Sequence, residues 1–193
     1  MKPEKLIELL AVAEKLKCVT RHADTSSKRR ESVAEHSWRI ALMAMLLADE
    51  FPDTDCNKVI KMCLIHDLGE AFLGDIPSFE KTKEDGEKEH KCYKNWVAGF
   101  PEYQRKEFDE LLQEMEKMET KEAKLYKALD KLEAVIQHNE GDISSWLPLE
   151  YDLQLVYGSE EVEFSPYLKE LKAYINQMTK EKIVKEGSRK ELL

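Results

Sequence analysis

An all-α domain of six to eight helices is what this sequence predicts, on three observations. Apolar residues recur at three- and four-residue spacing along most of the chain. Seven glycines and six prolines in 193 residues leave few turn signals, and these cluster, which favours long helices over many short strands. No segment reads convincingly as a strand, and no repeat period, linker or low-complexity tract interrupts the helical pattern.

The first helix is carried by Leu6, Ile7, Leu9, Leu10, Ala13 and Leu16 and fades near Lys17. The polar, turn-rich stretch VTRHADTSSKRRE reads as a loop. Ser32 and Glu35 then have the form of a capping box, opening a second helix that runs to about Glu50 and is ended by Phe51-Pro52-Asp53. The third helix, Lys58 to Phe72, is apolar nearly all round and is therefore expected at the centre of the fold. Gly74 and Pro77 stop it. The Lys/Glu-rich stretch from Lys81 to Lys91 reads as an exposed loop leading into a helix whose Tyr93, Trp96, Val97 and Phe100 face the body. Tyr103 to Met118 carries Phe108, Leu111, Leu112, Met115 and Met118 on one stripe. Thr120 is the expected N-cap of a helix reaching about His138, and Pro166 the N1 residue of a last amphipathic helix. The tryptophans Trp38, Trp96 and Trp146 are expected in the core or an interface.

Composition narrows the function classes. With 42% apolar and 36% charged residues the chain suits an ordinary globular domain, read as one unit over residues 1–193. A net charge of −9, with Lys28-Arg29-Arg30 the one basic cluster, argues against a nucleic-acid surface. The longest apolar run, Ile40 to Ala48, is too short to span a bilayer. Four cysteines show no CxxC pair, and with no signal peptide they read as reduced thiols of a cytoplasmic protein. The mixed-charge tail from Lys180 to Leu193 reads as a solvated helix end.

Three helix-borne places carry polar groups among apolar neighbours: His36 just after the capping box, His66-Asp67 near the end of the central helix, and Asp130 within a later one. Two imidazoles and two carboxylates suit a first-row divalent ion such as Mn²⁺, Fe²⁺, Co²⁺ or Zn²⁺. Taken singly, each also fits a core group bonded to an ordinary partner. Glu70 lies four residues after His66 and three after Asp67, so helical spacing brings it to the same end and face. His90 and His138 read as surface residues and His22 as solvent-facing; Glu133 and Gln137 either border the site or pair with lysines.

The pattern H…HD…D, set in ESVAEHSW, HDLGEAFLGDIP and ALDKLEA, resembles the HD superfamily of metal-dependent phosphohydrolases, and within it the branch of bacterial 5′-deoxynucleotidases. The match covers about residues 5–140; residues 141–193 are a less diagnostic helical region. The resemblance implies an all-α HD-domain bundle, one catalytic divalent ion, commonly a homodimer, and hydrolysis of a nucleoside 5′-phosphomonoester. It makes His36, His66, Asp67 and Asp130 metal ligands, Glu70 and Asp75 catalytic acids, and Arg21 a phosphate-binding group. Lys81 is a further phosphate-binding cation, and Ser37 a possible hydroxyl donor. The branch usually carries a tryptophan shortly after the arginine, where this chain reads Arg21-His22-Ala23-Asp24, which leaves selectivity for 2′-deoxy sugars open. Two rivals are an HD phosphohydrolase acting on a nucleoside triphosphate, cyclic dinucleotide or guanosine polyphosphate, and a non-catalytic metal or nucleotide sensor.

Overall fold

The computed structural model describes residues 1–187. Within them the all-α expectation holds, with one small sheet added. Helix α1 (Pro3–Glu14) starts on a proline, whose missing N–H is no loss in a first turn, and tightens into a 3₁₀ turn at Lys15–Lys17. The stretch expected as a loop instead forms a hairpin of β1 (Thr20–Asp24) and β2 (Arg30–Ser32). The strands pair antiparallel, with Thr20 opposite Ser32 and Asp24 opposite Arg30, and an irregularity between those pairs. Its few alternating residues are polar, so the periodicity signal is absent. The hairpin is fixed by long-range packing: Gly141 sits against Asp24 so closely that a Cβ there would fall 2.7 Å from the Asp24 carbonyl oxygen.

Helix α2 (Val33–Leu46) opens on the expected capping box, with Ser32 Oγ accepting from the Glu35 N–H and the Glu35 carboxylate accepting from the Ser32 N–H. A 3₁₀ turn at Ala48–Glu50 follows. The third helix is shorter than expected. Helix α3 (Cys56–Ile65) ends before the His-Asp pair, the chain passes through tight turns, and a single turn, α4 (Glu70–Leu73), precedes Gly74. Gly74 holds φ at +85°, a conformation that favours glycine and redirects the chain at Asp75. Helix α5 (Lys83–Val97) claims most of the charged stretch expected as a loop, because Thr82 and Asp85 form a second capping box. Helix α6 (Glu102–Lys117) ends at Met118, and α7 (Lys121–Glu140) starts on the expected Thr120 cap. A short helix that periodicity does not reveal, α8 (Glu150–Val156), precedes α9 (Pro166–Lys182), which ends in a π-helical turn at Ile183–Gly187. Of the tail expected as a solvated helix end, residues 188–193 lie outside the described residues.

Helices α2, α3 and α7 pack on one another at the centre, and α9 packs on α7. Leu125, Leu129 and Leu132 on α7, Ile40 on α2 and Met62 on α3 are almost fully buried, each contributing roughly 1.5–3 kcal/mol by leaving water. Inward faces this apolar make the polar residues among them conspicuous: His36, Asp130 and Glu133 are all buried. Trp146 lies in the core and Trp96 packs against it, while Trp38 is exposed on α2, outside the core.

Candidate metal and phosphate site

Helix geometry explains the first polar layer. Asp130 and Glu133 are three residues apart on α7 and so face α2 together. They receive the two ring nitrogens of His36: Nδ1 lies 2.5 Å from Glu133 Oε2 and Nε2 lies 3.1 Å from Asp130 Oδ1. His66, at the end of α3, brings its ring to within 5.4 Å of that of His36, centroid to centroid. Its Nδ1 donates to the Cys63 carbonyl at 2.9 Å, which leaves Nε2 as the nitrogen free to act. That Nε2 is buried, 2.9 Å from Asp67 Oδ2 and 3.7 Å from Asp130 Oδ1, and yet takes part in no hydrogen bond. The ligand atoms of His36, His66 and Asp67 lie within 4.8 Å of one another.

The electrostatics describe a place short of positive charge. Burial works to lower His66, but Asp67 and Asp130 overcome it and push the imidazole up to about 9. Asp67 and Asp130 are held well below the usual carboxylate range against their own burial, Asp67 chiefly by His66 and Asp130 chiefly by Lys127. Cations reach both carboxylates: Lys127 Nζ holds the outer oxygen of Asp130, Oδ2, at 2.7 Å, and Arg21 reaches Asp67 Oδ2, the oxygen beside His66, at 3.3 Å. A divalent ion among these inward-facing atoms would replace protons that the acids otherwise draw onto the imidazoles. The orphaned His66 Nε2 and the two-imidazole, two-carboxylate set fit such an ion. A second buried group, Glu31, His36 and Glu133, already has its positive charge supplied, by Arg21 at 3.5 Å from Glu31 and Arg39 at 3.6 Å from Glu133.

These groups open onto a cleft of about 180 Å³ lined by Asp67, Asp130, Glu70, Asp75, Arg21, Lys81 and Lys127 at one end. Glu70 is buried, and its burial, together with Asp67 and Asp75, pushes its carboxyl up to about 11, so it carries a proton when no metal is present. Asp75 is also raised, by burial first, with Arg21 opposing and Asp67 adding to the shift. Arg21 is raised above its already high value, its burial outweighed by Asp67, Asp130 and Asp75. Lys81 Nζ is paired with Glu89 at 2.5 Å while facing the cleft.

The structure brings together eight of the nine residues singled out in the sequence, with one departure. Ser37 is buried and does not line the cleft, because one residue after His36 the helix has turned its side chain by about 100°. The relation of Glu70 to the His-Asp pair also differs in detail, since the helix breaks at His66 and tight turns, not helical spacing, carry Glu70 to the site. Lys127 was not singled out, although its place three residues before Asp130 is a readable ion-pair spacing. Two corrections concern histidines: His22 and His138 line the far end of the cleft with Glu150 of α8, because Glu150 draws both rings inward. Gln137 bonds Arg39 and the Asp24 carbonyl, holding the hairpin against α7.

The HD domain family profile matches residues 13–172. Over 139 residues the chain is 34% identical to 5′-deoxynucleotidase HDDC2 of Homo sapiens, an alignment covering 70% of this chain and 67% of that one. It is 33% identical over 147 residues to 5′-deoxynucleotidase HDDC2 of Dictyostelium discoideum, covering 69% and 76%. Among solved structures, a predicted metal-dependent phosphohydrolase from Magnetospirillum magnetotacticum superposes with a TM-score of 0.76 at 31% identity, covering 92% of this chain and 91% of that one. Among the described residues no helix is long and apolar enough to cross a membrane.

Proposed function

The chain belongs to the HD domain family, and from that premise we propose that it is a metal-dependent phosphohydrolase releasing phosphate from (deoxy)nucleoside 5′-monophosphates. The observation that carries this reading is the buried, unbonded His66 Nε2 beside Asp67, Asp130 and His36, behind a cleft that Asp67 and Asp130 line together with Arg21, Glu70 and Asp75. The similarity to 5′-deoxynucleotidases supports a phosphomonoester as substrate.

His36, His66, Asp67 and Asp130 would hold the divalent ion, with Co²⁺, Mn²⁺, Fe²⁺ and Zn²⁺ all suited to the donor set. When bound, such an ion lowers the pKa of a coordinated water toward neutrality and polarises a phosphoryl oxygen. The chain's own residues do the rest. Glu133 fixes the His36 tautomer so that Nε2 faces Asp130. Arg21, clamped by Asp67 and Glu31, presents a planar pair of donors to phosphate oxygens, and Lys81 and Lys127 add charge beside it. Glu70 and Asp75, both raised by burial and by the nearby Asp67, handle protons: the one that leaves the attacking water and the one that the departing 5′-oxygen takes up.

The same reading takes residues 1–193 as one domain and the protein as cytoplasmic, the latter supported by Cys18, Cys56, Cys63 and Cys92 being free thiols. It also takes the protein as a homodimer, supported by Trp38, Met45 and Leu46 standing exposed on α2. The test is a screen of nucleoside and deoxynucleoside monophosphates against Co²⁺, Mn²⁺, Mg²⁺ and Zn²⁺, with chelator controls. The expected product is inorganic phosphate, released only with a divalent ion; pyrophosphate or a linear dinucleotide from other nucleotides, with monophosphates inert, would replace this reading.

A further inference from the structure

Beyond the metal and phosphate end, the cleft continues to a second group of residues that the hydrolytic chemistry does not use. Its centre is Glu150, almost fully buried on α8. One carboxylate oxygen lies 3.0 Å from His138 Nε2, and the other lies 3.3 Å from His22 Nε2 and accepts from the Leu147 N–H at 2.7 Å. His138 is also fixed at its other nitrogen, Nδ1, which donates to the Ala134 carbonyl at 2.8 Å. The His22 ring meets the Phe79 ring edge-on, with centroids 5.7 Å apart, and lies 6.2 Å from the His138 ring. The hairpin is thus tied to the sequence-distant pair α7 and α8 through one hidden carboxylate, which holds two flat imidazoles as part of the cleft wall.

Next to them stands Gln154. It is only 4% exposed and lines the cleft, and its backbone carbonyl is engaged by Lys172 at 3.0 Å. Its side-chain carboxamide is bonded to no described residue. Its amide oxygen and nitrogen are not shut off from the cleft, so whatever enters can supply their missing donor and acceptor. A carboxamide offers one acceptor and a pair of donors side by side, the pattern that pairs with the edge of a nucleobase. Fixed planar rings offer a stacking surface that every base can use.

We propose that this distal end of the cleft is a nucleobase subsite: His22 and Phe79 are its aromatic wall, Gln154 its hydrogen-bonding contact, and Glu150 the residue that positions His22 and His138. The proposal deepens the nucleotidase reading and rests on it. It assigns the chain's preference for a nucleotide over a bare sugar phosphate to residues from its C-terminal region, and it gives the histidine at position 22 a role in the wall of that subsite.

The test compares phosphate release from 2′-deoxyadenosine 5′-monophosphate and from 2-deoxyribose 5-phosphate, which keeps the sugar and phosphate and lacks the base. The ratio of kcat/KM for the two is expected to exceed ten in the wild type and to fall about tenfold in Gln154→Leu and in His22→Ala. A wild-type ratio near one, or a ratio unmoved in both variants, overturns the subsite while leaving the phosphatase reading intact. Calorimetric titration with 2′-deoxyadenosine reads the subsite without turnover: Gln154→Leu should weaken binding about tenfold, and equal affinity overturns the proposal. Failure of both phosphate esters to be hydrolysed with any divalent ion refutes the parent reading instead, while the titration still decides the subsite.

Discussion

Replacing Glu133 with alanine removes a residue that would touch neither metal nor substrate, and the consequence can be worked from the geometry. Glu133 Oε2 accepts from His36 Nδ1 at 2.5 Å, with both side chains fully buried. A buried hydrogen bond to a charged acceptor contributes about 1.5–3 kcal/mol. Its loss would leave the His36 ring free to turn or to change tautomer. Removing an outer carboxylate of this kind weakens metal binding by about 10- to 100-fold, or roughly 1.4–2.7 kcal/mol. An opposing effect limits the damage to the fold. The Glu31 carboxyl is pushed up to about 7 by burial and then by Glu133, and that repulsion disappears in the variant. Arg39 keeps its pairing with Glu140 at 2.7 Å. The expected outcome is therefore a protein of unchanged helical content whose Co²⁺ affinity, measured by competition with a chromophoric chelator, falls by one to two orders of magnitude. Glu133→Gln, which retains an acceptor for Nδ1–H, should lie between. Wild-type affinity in Glu133→Ala would refute the role given to this residue.

Three further expectations concern other parts of the molecule. Arg21→Ala should raise KM for a nucleoside monophosphate about tenfold or more, since the guanidinium beside Asp67 is the best-placed cation in the cleft; an unchanged KM in steady-state kinetics would remove Arg21 from the substrate site. Lys172 is buried without an acidic partner among the described residues, and burial pushes its ammonium down to about 8. Because the folded pKa lies below the unfolded one, the charged form costs the fold about 3 kcal/mol at pH 7, and this cost fades as pH rises from about 8 to about 10.5. Lys172→Met should therefore be more stable at pH 7 by about 1–2 kcal/mol in urea titrations, after allowing for the lost bond to the Gln154 carbonyl, and the advantage should shrink toward pH 10; destabilisation at pH 7 would contradict this. Ser32→Ala breaks the capping box that starts α2 four residues before His36 and should lower stability by about 1 kcal/mol in thermal melts; no change would mean the cap is redundant with the hairpin.

Much of this was legible in the sequence because its signals are local. The capping box at Ser32 and Glu35, the Thr120 cap and the Pro166 start depend only on residues within one turn, and the structure realises each. His36, His66, Asp67 and Asp130 stood out because charged residues on otherwise apolar helix faces need a partner, and the resemblance to the HD superfamily is what made them one set. What local pattern does not encode was missed. The hairpin at residues 20–32 is held against α7 by Gln137 and by close approach at Gly141, contacts more than a hundred residues away in sequence. His22 and His138 read as surface residues because the group that draws them inward, Glu150, lies on a seven-residue helix too short to show a period. The break of the central helix at His66 was hidden by an apolar run that continues through Leu68, where the turn places another buried side chain. The second capping box, Thr82 with Asp85, was readable and was masked by the density of charge around it.

The central claim is that His36, His66, Asp67 and Asp130 form one metal centre on which phosphate release depends. Measuring metal content after Co²⁺ loading and gel filtration, alongside phosphate release, in the wild type and in His66→Ala and Asp67→Ala tests it most directly. The account predicts one ion per wild-type chain, loss of both the ion and the activity in each variant, and an unchanged helical spectrum. A variant that keeps its activity, or a wild type that releases phosphate with no divalent ion bound, would contradict it.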